Sequence, residues 1–513
     1  MAIDQKNNLF ILIRSLTKSE KRQFKLFSGR LDGNSNANFM ALFNLLDKMK
    51  VYDEAAIIKK TPIKKMQLSN TKANLYRQIL VSLRLTPQQQ TTQIIIREQL
   101  DFATILYNKG LYQQSLKVLE KAKKMALESQ ENNIAFEIVE FEKIIETQYI
   151  TRSLSSRADN LAILTKELGI KNVLASKLSN LSLQLYSFLL KNGYAKNEDD
   201  YERTKTYFFY HIPPFDLSQL GFKEKLYLYM AQMWYSFIIQ DFKGSFKNAY
   251  KWTDLFVSNP KMIQTYPVFF LKGNNYLLDS LFYLRYASKF EQVLHTFKNA
   301  LAQDNFKHNG NTKLLRFLYL RYNELNLHFL NGTYSAGIEI ITEIEAHLNY
   351  YELKIDAHHI MLFYYKFACM HFGADDHENC IKYLDKIVEN KELGMRQDLM
   401  CYARILSLIS HYELGKDEQI EALIRNTFKF LLKMDDMHLV QAEIIVFIRS
   451  LSTIYPHELK DAFQLLHGKL KQLEDHPFEK RSFLYLDIIS WLECKIDGKA
   501  IQEIVIAKAR LMK

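Results

Sequence analysis

Imidazole and thiol side chains are concentrated in one segment of this sequence. They are His358, His359, Cys369, His371, His377 and Cys380. Imidazole and thiolate are the usual zinc ligands, so a zinc site is the chemistry to consider first. Paired ligands usually lie two to four residues apart, and Cys369 and Cys380 do not. His377 and Cys380 instead fit positions where a helix packs on its neighbours, so we expect no metal and no other cofactor.

A stripe of amide and guanidinium side chains recurs along one predicted helix near the N-terminus. It consists of Asn70, Asn74, Arg77 and Arg84, and the other side of the helix carries Leu75, Tyr76, Ile79, Leu80 and Leu83. On an exposed helix, Asn and Arg can bind adenine and guanine edges in a major groove. Phosphate contacts could come from nearby lysines, Lys59, Lys60, Lys64, Lys65 and Lys72.

The elements around this stripe outline a loose helix-turn-helix. A short helix is predicted over 53–60, followed by a turn through Pro62 and a longer helix capped by Ser69. If the longer helix starts at Ser69, the turn between the two helices is longer than the usual three or four residues. We therefore expect the stripe to pack against the following helices as a cap, with nucleic-acid binding as the alternative.

Positive charge is concentrated near the N-terminus of the chain. Residues 1–85 contain 16 Lys and Arg against 6 Asp and Glu, while residues 86–513 contain 52 against 51. Thr17 and Glu20 form a capping box that opens a basic helix in the first segment. Pro87 and the glutamines after it interrupt the pattern. We predict a basic helical N-terminal domain over 1–85 and a second domain over 86–513.

Sequence motifs of the common enzyme classes are missing. The chain has no Gly-rich phosphate loop, no Gly-x-Ser-x-Gly elbow and no His-Glu-x-x-His pair. The 4 cysteines form no paired framework in so long a chain, which is typical of reduced thiols in the cytoplasm. No apolar run is long enough for a signal peptide or a membrane helix. We expect a cytoplasmic protein that is not an enzyme.

A corner pattern repeats about every 43 residues after position 86. A small or polar residue is followed by a ring two positions later and by small or apolar residues at positions five, nine and twelve. Clear copies begin at Gly110, Ser288, Gly332 and Asp375, with others near 240 and 415 and weaker ones near 153, 193, 455 and 497. With only 16 Gly and 8 Pro, long helices are favoured. The period predicts an all-α superhelix of about ten helical hairpins.

The corners resemble those of tetratricopeptide repeats. The matching residues are Gly110, Tyr112, Ser115, Leu119 and Ala122 in one copy, and Ser288, Phe290, Val293, Phe297 and Ala300 in another. The period exceeds the 34 residues of that family, whose early Trp and Gly are also missing from most first helices. Separately, residues 15–27 resemble the start of a group of bacterial helical-repeat proteins of unassigned function.

This resemblance implies a ligand groove lined by the first helix of each hairpin. Carried onto this chain, the groove positions are Arg97, Tyr107, Tyr227, Trp234, Asn275, Arg285, Tyr319, Tyr322, Asn326 and Tyr365. Tyr, Trp and Arg dominate binding energy in protein interfaces. We therefore expect a scaffold that binds a protein or peptide. The alternative is a transcriptional regulator whose repeat array senses a partner while residues 1–85 bind DNA.

Overall fold

The computed structural model of the chain is all-α in the part that it describes, which contains no β-strand. That part comprises residues 8–29, 35–86, 89–148, 156–303, 309–351, 354–389, 397–415, 417–434, 438–451, 454–455, 457–480, 483 and 487–511. The chain divides into two compact units, Met1–Lys166 and Glu167–Lys513. The predicted all-α fold is confirmed, while the boundary at residue 85 stays a prediction.

Helices make up most of the described residues. The early helices are α1 (Asn8–Ser15), α2 (Lys18–Ser28), α3 (Ser35–Lys48), α4 (Glu54–Lys60), α5 (Lys65–Arg84), α6 (Thr92–Asn108), α7 (Tyr112–Glu128), α8 (Asn132–Gln148), α9 (Arg157–Asn192) and α10 (Glu198–His211). The next are α11 (Phe222–Ile238), α12 (Phe242–Val257), α13 (Lys261–Thr265), α14 (Pro267–Tyr283), α15 (Ala287–Ala302), α16 (Gly310–Asn331), α17 (Tyr334–Glu339) and α18 (Ile341–Tyr350). The last are α19 (Ala357–Gly373), α20 (His377–Val388), α21 (Gln397–Glu413), α22 (Asp417–Met434), α23 (Leu439–Ser450), α24 (Leu459–Leu473), α25 (Ile488–Asp497) and α26 (Ile501–Leu511). None of the described helices is both long and apolar enough to cross a membrane.

Helices α1–α5 share a hydrophobic core of their own, drawn from residues 9–79. The capping box of α2 is present, because Thr17 Oγ1 accepts from Glu20 N and Glu20 Oε2 accepts from Thr17 N. The predicted start of α5 at Ser69 is wrong. The helix begins at Lys65, where Gln67 Oε1 accepts from Lys64 N. This earlier start shortens the turn after α4 to residues 61–64.

Left-handed residues end the first helix of most hairpins in the repeat region. Five are glycines with φ from 65° to 74°: Gly110, Gly193, Gly332, Gly415 and Gly498. The others are Gln240, Arg285 and Asp375, while Gln130, also left-handed, follows the second helix of its hairpin, α7. A left-handed residue after a helix closes its last turn, and glycine adopts that conformation without a steric penalty. The predicted corners near 110, 193, 240, 332, 375, 415 and 497 are therefore confirmed.

The predicted corner at Ser288 is wrong by three residues. Ser288 lies inside α15, and the left-handed residue is Arg285. Counting from Arg285, positions five, nine and twelve are Phe290, Leu294 and Phe297, and all three are buried. The same positions after Gly110, Gln240, Gly332 and Asp375 are also buried. The repeat is thus regular in structure although its corner residue varies.

Two features depart from uniform hairpins. The predicted corner near 153 lies outside the described residues, and α9 continues for 36 residues through the place where one hairpin should end and the next begin. The corner rings also differ in burial. Phe290 and Tyr334 are buried, whereas Tyr112 is half-buried beside Tyr107, at 5.7 Å between ring centroids.

Candidate functional site

The second unit contains a partly enclosed cavity of about 160 Å³ between its inner helices. The wall is formed mainly by α16, α19 and α26, with further residues from α14, α15 and α17 and from the segments before α10, α15 and α25. Nine of the side chains that line it are aromatic, among them Tyr322, Tyr334 and Tyr365. The charged residues on the wall are Arg285, Lys366, Lys508 and Asp487. Such a mixture of rings and a few polar groups is typical of a ligand site.

The cavity is closed on one side by contacts that join residues far apart in sequence. Helix α26 packs against α16, and Gln502 Oε1 accepts hydrogen bonds from Ser335 N at 3.3 Å and Ser335 Oγ at 3.2 Å. Gly332 permits this close approach, because a Cβ there would lie 2.9 Å from the backbone nitrogen of Ile506. The array therefore folds back on itself at this point, which the period of the repeat did not indicate.

The segment before α25 adds Phe483 to the cavity wall. Glu479, which is buried, accepts hydrogen bonds from the first N–H groups of α23, Leu439 N at 3.1 Å and Val440 N at 3.3 Å. Burial opposes ionisation of Glu479, but His438 and these N–H groups outweigh it and lower the pKa of the carboxyl. Gln240 also donates to the carbonyl oxygen of Phe478 at 3.4 Å. The segment is thereby anchored at two places.

A hydrogen-bonded chain of polar side chains crosses the inner helices. Lys366 Nζ donates to Asn326 Oδ1 at 2.6 Å, and Asn326 donates to Asn323 Oδ1 at 3.2 Å. Asn323 in turn donates to Asn275 Oδ1 at 2.8 Å, and Asn275 to Asp279 Oδ2 at 3.1 Å. The chain links α19, α16 and α14 through one amide after another. Every amide in it is oriented by a partner, which makes this part of the site rigid.

Lys366 occupies an unusual environment at the end of that chain. Its ammonium lies 4.4 Å from the ring centroid of Tyr322 and 5.1 Å from those of both Phe282 and Phe329, within range of cation–π attraction. Burial lowers the pKa of Lys366 and raises the pKa of Asp279, because each charged form loses hydration. Burial also raises the pKa of Cys369 to about 12, so its thiol is protonated at neutral pH.

The predicted groove residues fall into two groups. Six belong to α14, α16, α19 or the corner at Arg285, namely Asn275, Arg285, Tyr319, Tyr322, Asn326 and Tyr365. Of these, Arg285, Tyr322 and Tyr365 line the cavity, while Asn275 and Asn326 belong to the polar chain and Tyr319 is buried. The other four do not line it. Arg97 is exposed, Tyr107 and Tyr227 are half-buried, and Trp234 is buried.

Cavity residues from the end of the chain were missed by the sequence analysis. Phe483, Asp487, Val505 and Lys508 line the site although none lies on the first helix of an earlier hairpin. No local signal marks them, because their role depends on the contact between α26 and α16.

The histidines and cysteines considered for zinc have other partners. His371 Nδ1 lies 2.9 Å from Asp376 Oδ2, His377 Nε2 lies 3.0 Å from Asp375 Oδ1, and Cys380 contacts Ser410. His359 contacts Asp356, whose carboxylate caps α19. Within the described part of the chain, no three His, Cys, Asp or Glu side chains come together as a metal site would require.

A second surface of interest is the outer face of α5 in the first unit. Asn70, Asn74, Arg77 and Arg84 are all exposed, so the expected burial of this stripe is wrong. At the end of the stripe, Arg84 Nη2 lies 2.6 Å from Asp101 Oδ2 of the following helix, α6. Tyr76 and Leu80, expected on the core side, are also exposed. The core side is formed instead by Leu68, Leu75, Ile79 and Ser82.

Helices α4 and α5 fit a helix-turn-helix more closely than the sequence indicated. The turn of four residues, 61–64, has the usual length, and the second helix has an uncovered face. Lys59, Lys60, Lys64 and Lys65 are exposed around the turn. Lys72 is half-buried and forms an ion pair with Glu54 at 3.1 Å. Sequence comparison adds no assignment for either surface, since the chain matches no protein-family model and no curated protein.

Proposed function

We propose that the protein is a non-enzymatic scaffold of tetratricopeptide-like hairpins that binds a protein or peptide at the cavity of its second unit. The cavity itself is the observation that supports this proposal. Five tyrosines and Arg285 line it, and Tyr and Arg are among the residue types that dominate binding energy in protein interfaces. The rigid polar chain behind it holds the wall in a fixed geometry, which lowers the entropic cost of binding.

Peptide selection on the full chain tests this proposal. Random peptides displayed on phage, in one library with free C-termini and in another with free N-termini, should be enriched by the immobilised protein. The enriched peptides should lose at least about tenfold in affinity for Ala509→Phe, because the added ring fills the cavity. Ala507→Phe is the matched control, since Ala507 is exposed on the same helix, α26. Failure to enrich any peptide, or equal binding by both variants, would contradict the proposal.

A second candidate function is DNA binding by the first unit, as in a transcriptional regulator. Its support is the exposed stripe on α5 behind a four-residue turn. In helix-turn-helix proteins the second helix enters the major groove and the first crosses the backbone. The excess of basic residues in 1–85 would supply the phosphate contacts that make such binding salt-dependent.

For DNA binding, we expect Arg77→Ala to have a larger effect than Arg84→Ala. Arg84 is held by Asp101 in an ion pair, which a phosphate would have to displace. The affinity for a nonspecific duplex should be measured across a salt series. Arg77→Ala should reduce the slope of log affinity against log salt by about 0.9, the value for one phosphate contact. Arg22→Ala on α2, also exposed, serves as the control. A wild-type affinity that does not depend on salt would eliminate this function.

A further inference from the structure

We propose that the cavity of the second unit recognises an aromatic ring carrying a nearby carboxylate, and that this group is the C-terminal Phe or Tyr of a partner peptide. The inference rests on the proposed scaffold function and specifies which part of the partner enters the protein. It follows from the size of the cavity, the chemistry of its wall and the distribution of charge on it.

The volume of the cavity matches a ligand group with a single aromatic ring. A buried space of about 150 Å³ lined by apolar side chains is enough to hold benzene. At about 160 Å³, this cavity has room for a single six-membered ring and little more. Its wall of aromatic residues offers edge-to-face and offset contacts to such a ring. A larger group would extend out of the partly enclosed space.

The charged residues on the wall favour a carboxylate as the second part of the ligand. Lys508 lies 2.6 Å from Glu493 Oε2 and donates to Ser490 Oγ, while Lys366 is held by Asn326 and three rings. Arg285 differs from both, because it forms no ion pair with any residue that the structure describes. A half-buried guanidinium that forms no such ion pair favours an anion, and its planar donors match a carboxylate.

The backbone holds Arg285 at this position at some cost. Its φ of 55° lies in the left-handed region, where five of the equivalent corners have glycine. An arginine in that conformation is strained by roughly 1–2 kcal/mol per residue. At Gln240 and Asp375 the corner residue is also not glycine, so the strain alone does not imply a ligand. It does fix the start of the side chain at the rim of the cavity.

Asp487 disfavours a carboxylate in its own part of the cavity. Its own carboxylate lines the wall and caps α25, accepting from Ser490 N at 3.1 Å and Ser490 Oγ at 2.8 Å. A second carboxylate near it would be repelled. The ligand anion is therefore placed beside Arg285, with the ring directed into the aromatic part of the cavity.

Three small probes separate the parts of this proposal in calorimetry with the full chain. N-acetyl-phenylalanine mimics a C-terminal Phe, its amide lacks the charge, and 3-phenylpropionate lacks the peptide group. We expect the acetylated acid to bind and its amide to bind at least about tenfold more weakly, as for loss of a charge-assisted hydrogen bond. Tighter binding of N-acetyl-phenylalanine than of 3-phenylpropionate supports a peptide end. The reverse order overturns the peptide assignment in favour of a free aromatic acid.

Two substitutions locate the anion. Arg285→Met should weaken N-acetyl-phenylalanine at least about tenfold and leave its amide unchanged, whereas Arg285→Lys should restore part of the affinity. Asp487→Asn retains the helix cap and should strengthen binding by removing repulsion. Lys313→Met, an exposed position on α16, is the control. If Arg285→Met fails to fold, the affinity of Asp487→Asn for N-acetyl-phenylalanine still tests where the anion binds. The proposal is overturned if N-acetyl-phenylalanine and its amide bind equally well, or if neither Arg285→Met nor Asp487→Asn changes the binding of N-acetyl-phenylalanine.

The result is distinguishable from failure of the scaffold function. If selected peptides bind the cavity without needing a free C-terminal aromatic residue, only the present inference fails. If no peptide is enriched but the aromatic acid binds in an Arg285-dependent way, the scaffold function fails and the cavity chemistry stands.

Discussion

Replacing Lys123 by methionine should destabilise α7 and α8 by about 3–5 kcal/mol, the cost of leaving a buried charge without its partner. Glu142 is completely buried, and Lys123 Nζ lies 3.1 Å from Oε1 and 2.8 Å from Oε2 of its carboxylate. Burial raises the pKa of Glu142 even with the lysine present. Without the lysine, the destabilisation should therefore shrink as the pH falls and the carboxyl group takes up a proton.

Hydrogen exchange of the α7 and α8 amides is the suitable measurement, because a repeat protein can unfold in parts. Glu142→Leu is the informative comparison. It leaves Lys123 paired with the exposed Glu120, whose Oε2 lies 2.7 Å from Nζ. We expect this variant to lose clearly less stability than Lys123→Met. The opposite order would mean that the carboxylate is not the costly member of the pair.

Tyr334→Ala should cost on the order of 3 kcal/mol, as other large-to-small changes in a core do. The ring is 5% exposed and lies against Gly373, where a Cβ would come within 2.6 Å of it. It also packs edge-on against Phe329, with 6.0 Å between ring centroids. Removing it would enlarge the existing cavity, and the loss of protection should be greatest in α17 and α19.

Tyr350→Ala is the matched control for this change. That ring is 79% exposed at the end of α18, so its removal should alter stability by no more than about 0.5 kcal/mol. Exchange rates in α16–α19 should separate the two variants. Equal protection in both would show that the ring of Tyr334 does not hold α17 against α19.

Local patterns were sufficient for the hairpins where glycine marks the corner. Gly110 and Gly332 could be recognised because few other residues adopt a left-handed conformation. At Arg285 that signal is missing, and Ser288, a small residue three positions later, fits the corner pattern instead. The predicted start of α5 is wrong for a related reason. Ser69 is a good capping residue, but Lys64 and Gln67 form the cap that the fold uses.

The candidate site was predictable only on the side built from repeats. Tyr322 and Tyr365 follow from the spacing of the corners, because equivalent positions on successive first helices face the same way. Burial of Asn326 and its neighbours in a polar chain could not be anticipated, since helical periodicity treats asparagine as a surface residue. Phe483 and Lys508 depend on contacts between distant segments, about which a local period contains no information.

The contact between Ser335 and Gln502 has a consequence for how the protein folds. Most hairpins can form as soon as their own residues and those of a neighbour are available, so their contacts have low contact order. The cavity differs, because Ser335 must wait for a helix that is 167 residues further along the chain. During synthesis at about 5–20 residues per second, this delay amounts to roughly ten to thirty seconds. For that time the aromatic wall of a nascent chain is exposed, and a chaperone that covers it would limit aggregation.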